Sequence, residues 1–100
     1  MSSLITLSKS LHKAVWLYEA FGFASEGDAI LLIEDAVYDL QSPRLLNSFV
    51  AKAGWLNVTV YALNEDIQLR GVVSQQPDII TVDMQQMVDL TLTHTRHVAW

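Results

Sequence analysis

Five polar residues stand directly after apolar runs that resemble strands: Glu34 and Asp35, Asn64 and Glu65, and Asp83. Open α/β sheets bind ligands where the carboxyl ends of their strands meet, so such carboxylates could hold Mg²⁺ or act as an acid and a base. Neighbouring side chains on an extended segment point in opposite directions, which separates Glu34 from Asp35. We therefore interpret these two as solvated loop residues and Asp83 as a helix N-cap, and keep all five as candidate loop or partner-facing residues.

The histidines do not combine into a recognisable site. His94 and His97 are three positions apart and could share a metal ion on a helix, but no third ligand follows them. Their segment lies between the last predicted helix and the last predicted strand, which favours a solvated turn. His12 is isolated, and no serine stands on the Gly-flanked turn that a Ser-His-Asp hydrolase needs. We expect no catalytic residue and no metal site.

Motifs that bind nucleotides are also missing. Neither G-x-G-x-x-G nor a P-loop occurs in the sequence, so no cofactor is expected. Trp16, Trp55 and Trp100 could stack on bases, but without a basic groove they fit core or interface positions better. We expect Trp100 to anchor the last strand or a subunit contact.

Cysteine and charge content exclude further classes. The 100 residues contain no Cys, which removes disulfides, thiolate metal sites and every sulfur nucleophile from this chain. Six basic residues are scattered among 11 acidic ones, with a net charge of −5, so we expect no direct contact with nucleic acid. No apolar stretch approaches the roughly 20 residues of a membrane span, and the start lacks a signal-peptide pattern, so we expect a cytoplasmic protein without membrane contact.

The composition indicates one domain, residues 1–100, that needs a partner. Apolar residues make up 51% of the chain and charged residues 17%, against about 25% charged residues in average proteins. A chain this short has much surface for each core residue. We therefore expect another subunit to cover part of its apolar surface.

Apolar periodicity predicts strands that alternate with helices. Residues 29–33 and 58–63 lack strong polar alternation and are expected to be strands buried on both faces. Because crossover helices connect parallel strands, we predict an α/β fold, a three-layer α/β/α single domain with a five-stranded parallel sheet. The predicted strands are 4–7, 29–33, 58–63, 79–82 and 98–100, and the predicted helices begin near Leu11, Pro43, Asn64 and Met84.

Several of the predicted helix ends carry recognisable signals. Ser42 is expected to cap one helix, which Gly54 would end. Asn64 is expected to cap the next helix, and Asp83 followed by Gln86 resembles a capping box for the last one.

The last predicted helix has a single apolar face in this interpretation. Its members are Met84, Met87, Val88 and Thr91, each of which lies three or four residues, about one helical turn, from another of them. We interpret Met84 and Met87 as core residues rather than as a binding groove.

Short segments in the same order along nearly the whole chain resemble the TusB/DsrH family. They are residues 25–28, 30–32, 34–38, 60–66, 70–71, 80–83, 88–91 and the terminal 99–100. The sequence departs from its relatives at Ala36, where Gly is usual, and at Met84 and Met87, where aromatic residues are usual.

The resemblance implies a DsrE-like fold and a place in a cytoplasmic complex with TusC-like and TusD-like subunits, a heterohexamer built as a dimer of trimers. TusE-like and TusA-like relay proteins would be indirect partners. Such a complex passes persulfide sulfur toward 2-thiolation of the wobble uridine in tRNA. DsrH-type members instead serve sulfur oxidation and can carry a Cys near the position of Ala20. A persulfide needs a thiol, so this chain would be a non-catalytic structural subunit of the Tus branch.

Three other functions stay open at this point. The first is a DsrH-like subunit of a sulfur-oxidation complex. The second is a small α/β hydrolase or phosphotransferase that uses Glu34, Asp35 and Asp83. The third is a homo-oligomeric binding module related to the family by fold alone.

Overall fold

The computed structural model describes residues 2–10 and 24–99, so the predicted first helix, which begins near Leu11, and Trp100 lie outside the described residues. The described strands are β1 (Ser3–Leu7), β2 (Ala29–Leu32), β3 (Thr59–Leu63), β4 (Ile80–Val82) and β5 (Arg96–Ala99). The described helices are a 3₁₀ helix (Glu34–Gln41), α1 (Pro43–Leu56), α2 (Asn64–Leu69) and α3 (Met84–Thr93).

The five strands form one parallel sheet in the order β4-β3-β2-β1-β5. The chain moves one neighbour at a time from β1 to β4 and then crosses back to place β5 on the free side of β1. In register, Leu4 pairs with Ala29 on one side and with His97 on the other. With helices on both faces of this sheet, the predicted fold class is confirmed.

The first face of the sheet carries the larger hydrophobic cluster. Strand residues such as Ile5 and Ile30 pack there with Val37 of the 3₁₀ helix, Phe49 of α1 and Ile67 of α2. These side chains are buried, and each contributes about 1.5–3 kcal/mol of transfer free energy. The core therefore sits mainly between the sheet and three helical segments.

The second face carries a smaller cluster. Leu4, Leu31 and Val82 are buried in it, and Met87 and Leu90 of α3 pack against them. Among the described helices, α3 is the one that contributes residues to this cluster. The second face is thus covered by much less protein than the first within the described part of the chain.

Burial of the strands confirms one expectation and corrects another. All four residues of β2 are buried, as predicted. In β3, Val60 and Ala62 are buried, whereas Thr59 is exposed and Tyr61 is half-buried. Thr59 and Tyr61 lie on the second face, because alternate residues of a strand share a face. Leu63, on the same face, is buried, so the expectation that residues 58–63 are covered on both faces was wrong only at Thr59 and Tyr61.

The ends of α1 differ in part from their sequence signals. The helix continues past Gly54 to Leu56, and Asn57 takes the left-handed conformation with a φ of 57°. Asn adopts this conformation more readily than most residues, so it can end a helix where Gly is expected. Ser42 occupies the N-cap position as predicted, but its side chain makes no capping hydrogen bond.

The packing of α3 corrects the single-face interpretation. No residue of this helix is buried. Met87 packs against the second-face cluster, but Met84 is 49% exposed and Val88 is 45% exposed. The core interpretation is therefore correct for Met87 and wrong for Met84.

Candidate functional site

The candidate loop residues lie at the carboxyl edge of the sheet. Because all five strands are parallel, the segments after β1, β2, β3 and β4 emerge at one edge. Glu34, Asp35, Asn64, Glu65 and Asp83 all follow strands at that edge, as the sequence predicted. Trp100, the sixth candidate residue, lies outside the described residues.

Glu34 marks the sharp exit of the chain from β2. Its φ of 49° is in the left-handed region, which non-glycine residues seldom occupy. Its N–H donates to Asp66 Oδ2 at 2.7 Å, and this bond holds the turn against the start of α2. The side chain of Glu34 is exposed.

An arginine joins two of the edge segments. Arg70 Nε donates to Asp35 Oδ1 and Arg70 Nη1 to Asp66 Oδ1, each at 3.3 Å. The guanidinium carbon also lies 5.9 Å from the centroid of the Tyr38 ring, within the range of a cation–π contact. Asp35 is therefore paired with a cation within its own chain.

Glu65 connects the segment after β3 to the start of α3. Its Oε2 accepts a hydrogen bond from the N–H of Met84 at 3.0 Å. Asn64 does not cap α2, because the N-cap position is Leu63 and Asn64 is the first helical residue. No side chain caps α2, and Glu65 and Asp66 of its first turn instead bond to neighbouring segments.

Asp83 forms the capping box that its spacing to Gln86 predicted. The N–H of Gln86 donates to Asp83 Oδ1 at 2.8 Å, and the N–H of Asp83 donates to Gln86 Oε1 at 2.9 Å. The reciprocal pair satisfies two backbone donors at the start of α3. Asp83 is thus an N-cap, as interpreted from the sequence.

The edge residues form two connected groups whose bonds hold the loops together. One group contains Glu34, Asp35, Asp66 and Arg70, and the other links Glu65 to the start of α3. The carboxylates of Asp35, Glu65 and Asp66 accept hydrogen bonds from backbone N–H groups or from the arginine, whereas Glu34 contributes its backbone N–H. This arrangement positions the segments after β2, β3 and β4 relative to one another.

Two aspartates that the sequence did not single out are buried and hydrogen-bonded. Asp28 accepts hydrogen bonds from the N–H of Ser3 and from the N–H of Ser25, both at 2.8 Å. Asp39 accepts a hydrogen bond of 2.6 Å from Ser10 Oγ. The signal for Asp28 was its place after Gly27, which has a φ of 90° in the turn before β2.

His94 and His97 both lie against the end of α3. A ring nitrogen of His94, Nδ1, is 2.8 Å from the carbonyl oxygen of Leu90, and Nε2 of His97 is 2.8 Å from that of Thr91. His97 is in β5 and His94 is the C-cap of α3, so the predicted turn accounts only for part of the segment. Both rings can donate to carbonyls that the helix leaves unpaired.

Neither a three-ligand metal site nor a membrane-spanning helix occurs among the described residues, 2–10 and 24–99. No group of three or more His, Asp or Glu residues there is arranged to hold a metal ion. No helix in that part of the chain has the length and apolar character needed to cross a membrane.

Fold and site together define a small parallel α/β protein that has no thiol and whose edge carboxylates are engaged in holding loops. The crystal structure of the YchN protein from E. coli has this fold, with a TM-score of 0.67 at 13% identity and full coverage of both chains. At this identity the similarity concerns the fold alone.

Sequence similarity identifies the family more narrowly. The family described as DsrH like protein matches residues 9–97. The proteins named Protein TusB of Escherichia fergusonii and of Shigella dysenteriae serotype 1 are 36% and 35% identical to this chain in alignments 95 positions long. Each alignment covers 91% of this chain and 97% of the relative. This chain belongs to the DsrH-like family, and the resemblance stated from the sequence is confirmed.

Proposed function

We propose that this chain is a non-catalytic subunit of a cytoplasmic TusBCD-like sulfur-relay complex, which passes persulfide sulfur toward 2-thiolation of the wobble uridine in tRNA. The observation that carries the proposal is similarity to proteins named TusB over 91% of a chain that contains no cysteine. A persulfide must be held by a thiol, so the sulfur is carried by another subunit. The TusC-like and TusD-like subunits are the proposed partners, in a dimer of trimers.

The carboxyl edge supports a structural role over the alternative of hydrolase or phosphotransferase chemistry. Asp83 caps α3 and Asp35 pairs with Arg70, so two of the three carboxylates considered for that chemistry are held by bonds within the chain. The third, Glu34, is exposed and lies outside these pairs. The edge therefore offers loop positioning rather than an assembled acid–base pair.

The deciding experiment is deletion of the gene in its native cell, with mass spectrometry of digested tRNA beside a co-purification assay. We expect 2-thiouridine to fall and the TusC-like and TusD-like subunits to separate from each other. Re-expression of the wild-type chain should restore both. Normal 2-thiouridine in the deletion strain would remove the assigned pathway and would favour the sulfur-oxidation role that the DsrH name suggests.

Single substitutions separate assembly from chemistry. We expect alanine substitutions of the edge residues to lower 2-thiouridine only as far as they lower the amount of complex. The residues to be replaced one at a time are Glu34, Asp35, Asn64, Glu65 and Asp83. A variant that loses 2-thiouridine while the complex stays intact would show that this subunit contributes chemistry. Gln85→Ala is the matched control, because Gln85 is exposed and lies beside the α3 cap.

A further inference from the structure

The apolar surface of helix α3 extends beyond the side that packs on the sheet. Met87 and Leu90 face the sheet, where they pack against the second-face cluster. Away from the sheet, Met84, Val88 and Leu92 follow one another at four-residue steps and are 49%, 45% and 78% exposed. Residues four apart are neighbours on a helix, so these three form a continuous ridge, which we call the α3 ridge. An apolar stripe wider than the side that packs on the sheet leaves surface for a further contact.

The sheet beside α3 is also incompletely covered. An open trough of about 310 Å³ lies between the helix and the β4 side of the sheet. Tyr61 and Ile80 line its strand side and Asp89 lines its helix side. Ile80 is 49% exposed in an edge strand of three residues. Apolar surface is therefore open on α3 and next to it, on the same face of the molecule.

The acidic and basic residues next to this surface along the chain have one sign. Residues 71–95 contain Asp78, Asp83 and Asp89 but no Lys or Arg. Glu65 adds a carboxylate at the start of α3, where it accepts a hydrogen bond from the N–H of Met84. The next basic residue along the chain is Arg96, which shares the first face of the sheet with Val98 and donates from Nε to Ser3 Oγ at 3.0 Å. The α3 ridge thus has an acidic border.

This charge pattern selects the kind of partner. A second copy of the chain in a two-fold contact would bring the same surface, and hence the same carboxylates, against each other. Like charges across an interface oppose association, whereas opposite charges speed it and fix its orientation. The complementary surface is apolar and bordered by Lys or Arg.

We propose that the α3 ridge, bordered by Asp83 and Asp89, is the surface that binds a different subunit, one that presents apolar side chains among Lys and Arg residues. The inference rests on the proposed function, because it assigns one of the subunit contacts of that complex. The ridge supplies the apolar centre of the contact and the aspartates supply its polar border, the arrangement common to protein interfaces.

The test uses the full chain co-expressed with the TusC-like and TusD-like subunits of the same cell. The double variant Val88→Gln with Leu92→Gln replaces two exposed apolar side chains by polar ones that suit a helix. We expect it to melt like the wild type and to bind the other subunits at least about tenfold more weakly, as for central interface residues. Leu69→Gln is the matched control, because Leu69 is 79% exposed at the end of α2, which packs on the first face.

A charge variant tests the same contact without changing the ridge. Asp89→Lys should weaken assembly, and Asp89→Asn should make its association rate less dependent on salt concentration. Both substitutions are at an exposed position. Normal assembly of the double variant and of Asp89→Lys would overturn the proposal while leaving the proposed function intact.

Two further outcomes would also overturn it. In the first, the wild-type chain forms a dimer by itself and the double variant is monomeric. This result would show that a second copy of the chain occupies the ridge. Wild-type chain that ignores the TusC-like and TusD-like subunits would contradict the proposed function itself, and this inference with it. Weakened assembly in the double variant and in Asp89→Lys, with a normal Leu69→Gln control, supports the assignment.

Discussion

Asp28 is buried, and each of its carboxylate oxygens accepts a hydrogen bond from a different backbone N–H. One donor, Ser3, begins β1, and the other, Ser25, precedes the turn at Gly27. A buried N–H that loses its acceptor carries the full cost of desolvation. The residue therefore ties the first strand to the turn that starts the second strand.

We expect Asp28→Asn to lower the free energy of unfolding by about 1–3 kcal/mol, because an amide offers one acceptor oxygen where the carboxylate offers two. Urea unfolding followed by circular dichroism measures the change. Glu26→Gln is the control, since Glu26 is exposed two residues earlier. Equal stability of Asp28→Asn and wild type would show that the two bonds contribute little.

Asp35 and Asp66 both contact Arg70 but differ in surroundings. The side chain of Asp35 is 61% exposed, and that of Asp66 is 18% exposed and also accepts the Glu34 N–H. We expect Asp66→Ala to cost about 1–2 kcal/mol of unfolding free energy and Asp35→Ala less than about 1 kcal/mol. Thermal melts of the two variants side by side check the order. A larger loss in Asp35→Ala would mean that the ion pair, not the backbone bond, holds the edge.

At the scale of elements, local signals were reliable where one short contact decides the structure. The spacing of Asp83 and Gln86 predicted the capping box because both bonds form within four residues. The end of α1 was harder to place, since Gly54 and Asn57 both permit a helix to end. The inward side of α3 could not be read from spacing, because its apolar residues extend beyond the side that packs on the sheet.

The capping box predicts a measurable contribution to α3. Asp83→Ala should lower the free energy of unfolding by about 1 kcal/mol, since the N–H of Gln86 loses its acceptor, Asp83 Oδ1. Gln85→Ala should leave the free energy of unfolding nearly unchanged, because Gln85 is exposed and is not part of the capping box. Chemical denaturation of both variants gives the comparison, and the same midpoint for both would contradict the cap's role.

At the scale of the whole molecule, the alternation of strands and helices predicted that the strands are parallel and that the candidate residues share one edge of the sheet. It did not predict the uneven covering of the two faces. Burial of Thr59 and Tyr61 depends on how far α3 reaches over the sheet, which no local pattern encodes. For the same reason the sequence located the polar edge residues but not the pairs that Asp35, Asp66 and Arg70 form across segments.

Without its partners the isolated chain should aggregate rather than form a defined dimer, because the α3 ridge and the neighbouring trough leave apolar side chains in water. Sedimentation velocity of the purified chain is the measurement, and co-expression with the TusC-like and TusD-like subunits should give a soluble hexamer instead. The double variant of Val88 and Leu92 should aggregate less than wild type. A monodisperse wild-type monomer would indicate that the exposed apolar area is too small to need cover.

The pairing of β5 with β1 has a consequence for the order in which the chain folds. Ser3 and Arg96 are register partners although 93 positions separate them, whereas β1 and β2 can pair as soon as both have been synthesised. Until β5 emerges from the ribosome, one long edge of an apolar strand stays open, and such an edge can pair with another chain. Closing this distant parallel pair is also slow. The nascent protein is therefore vulnerable to misassembly until β5 docks on β1.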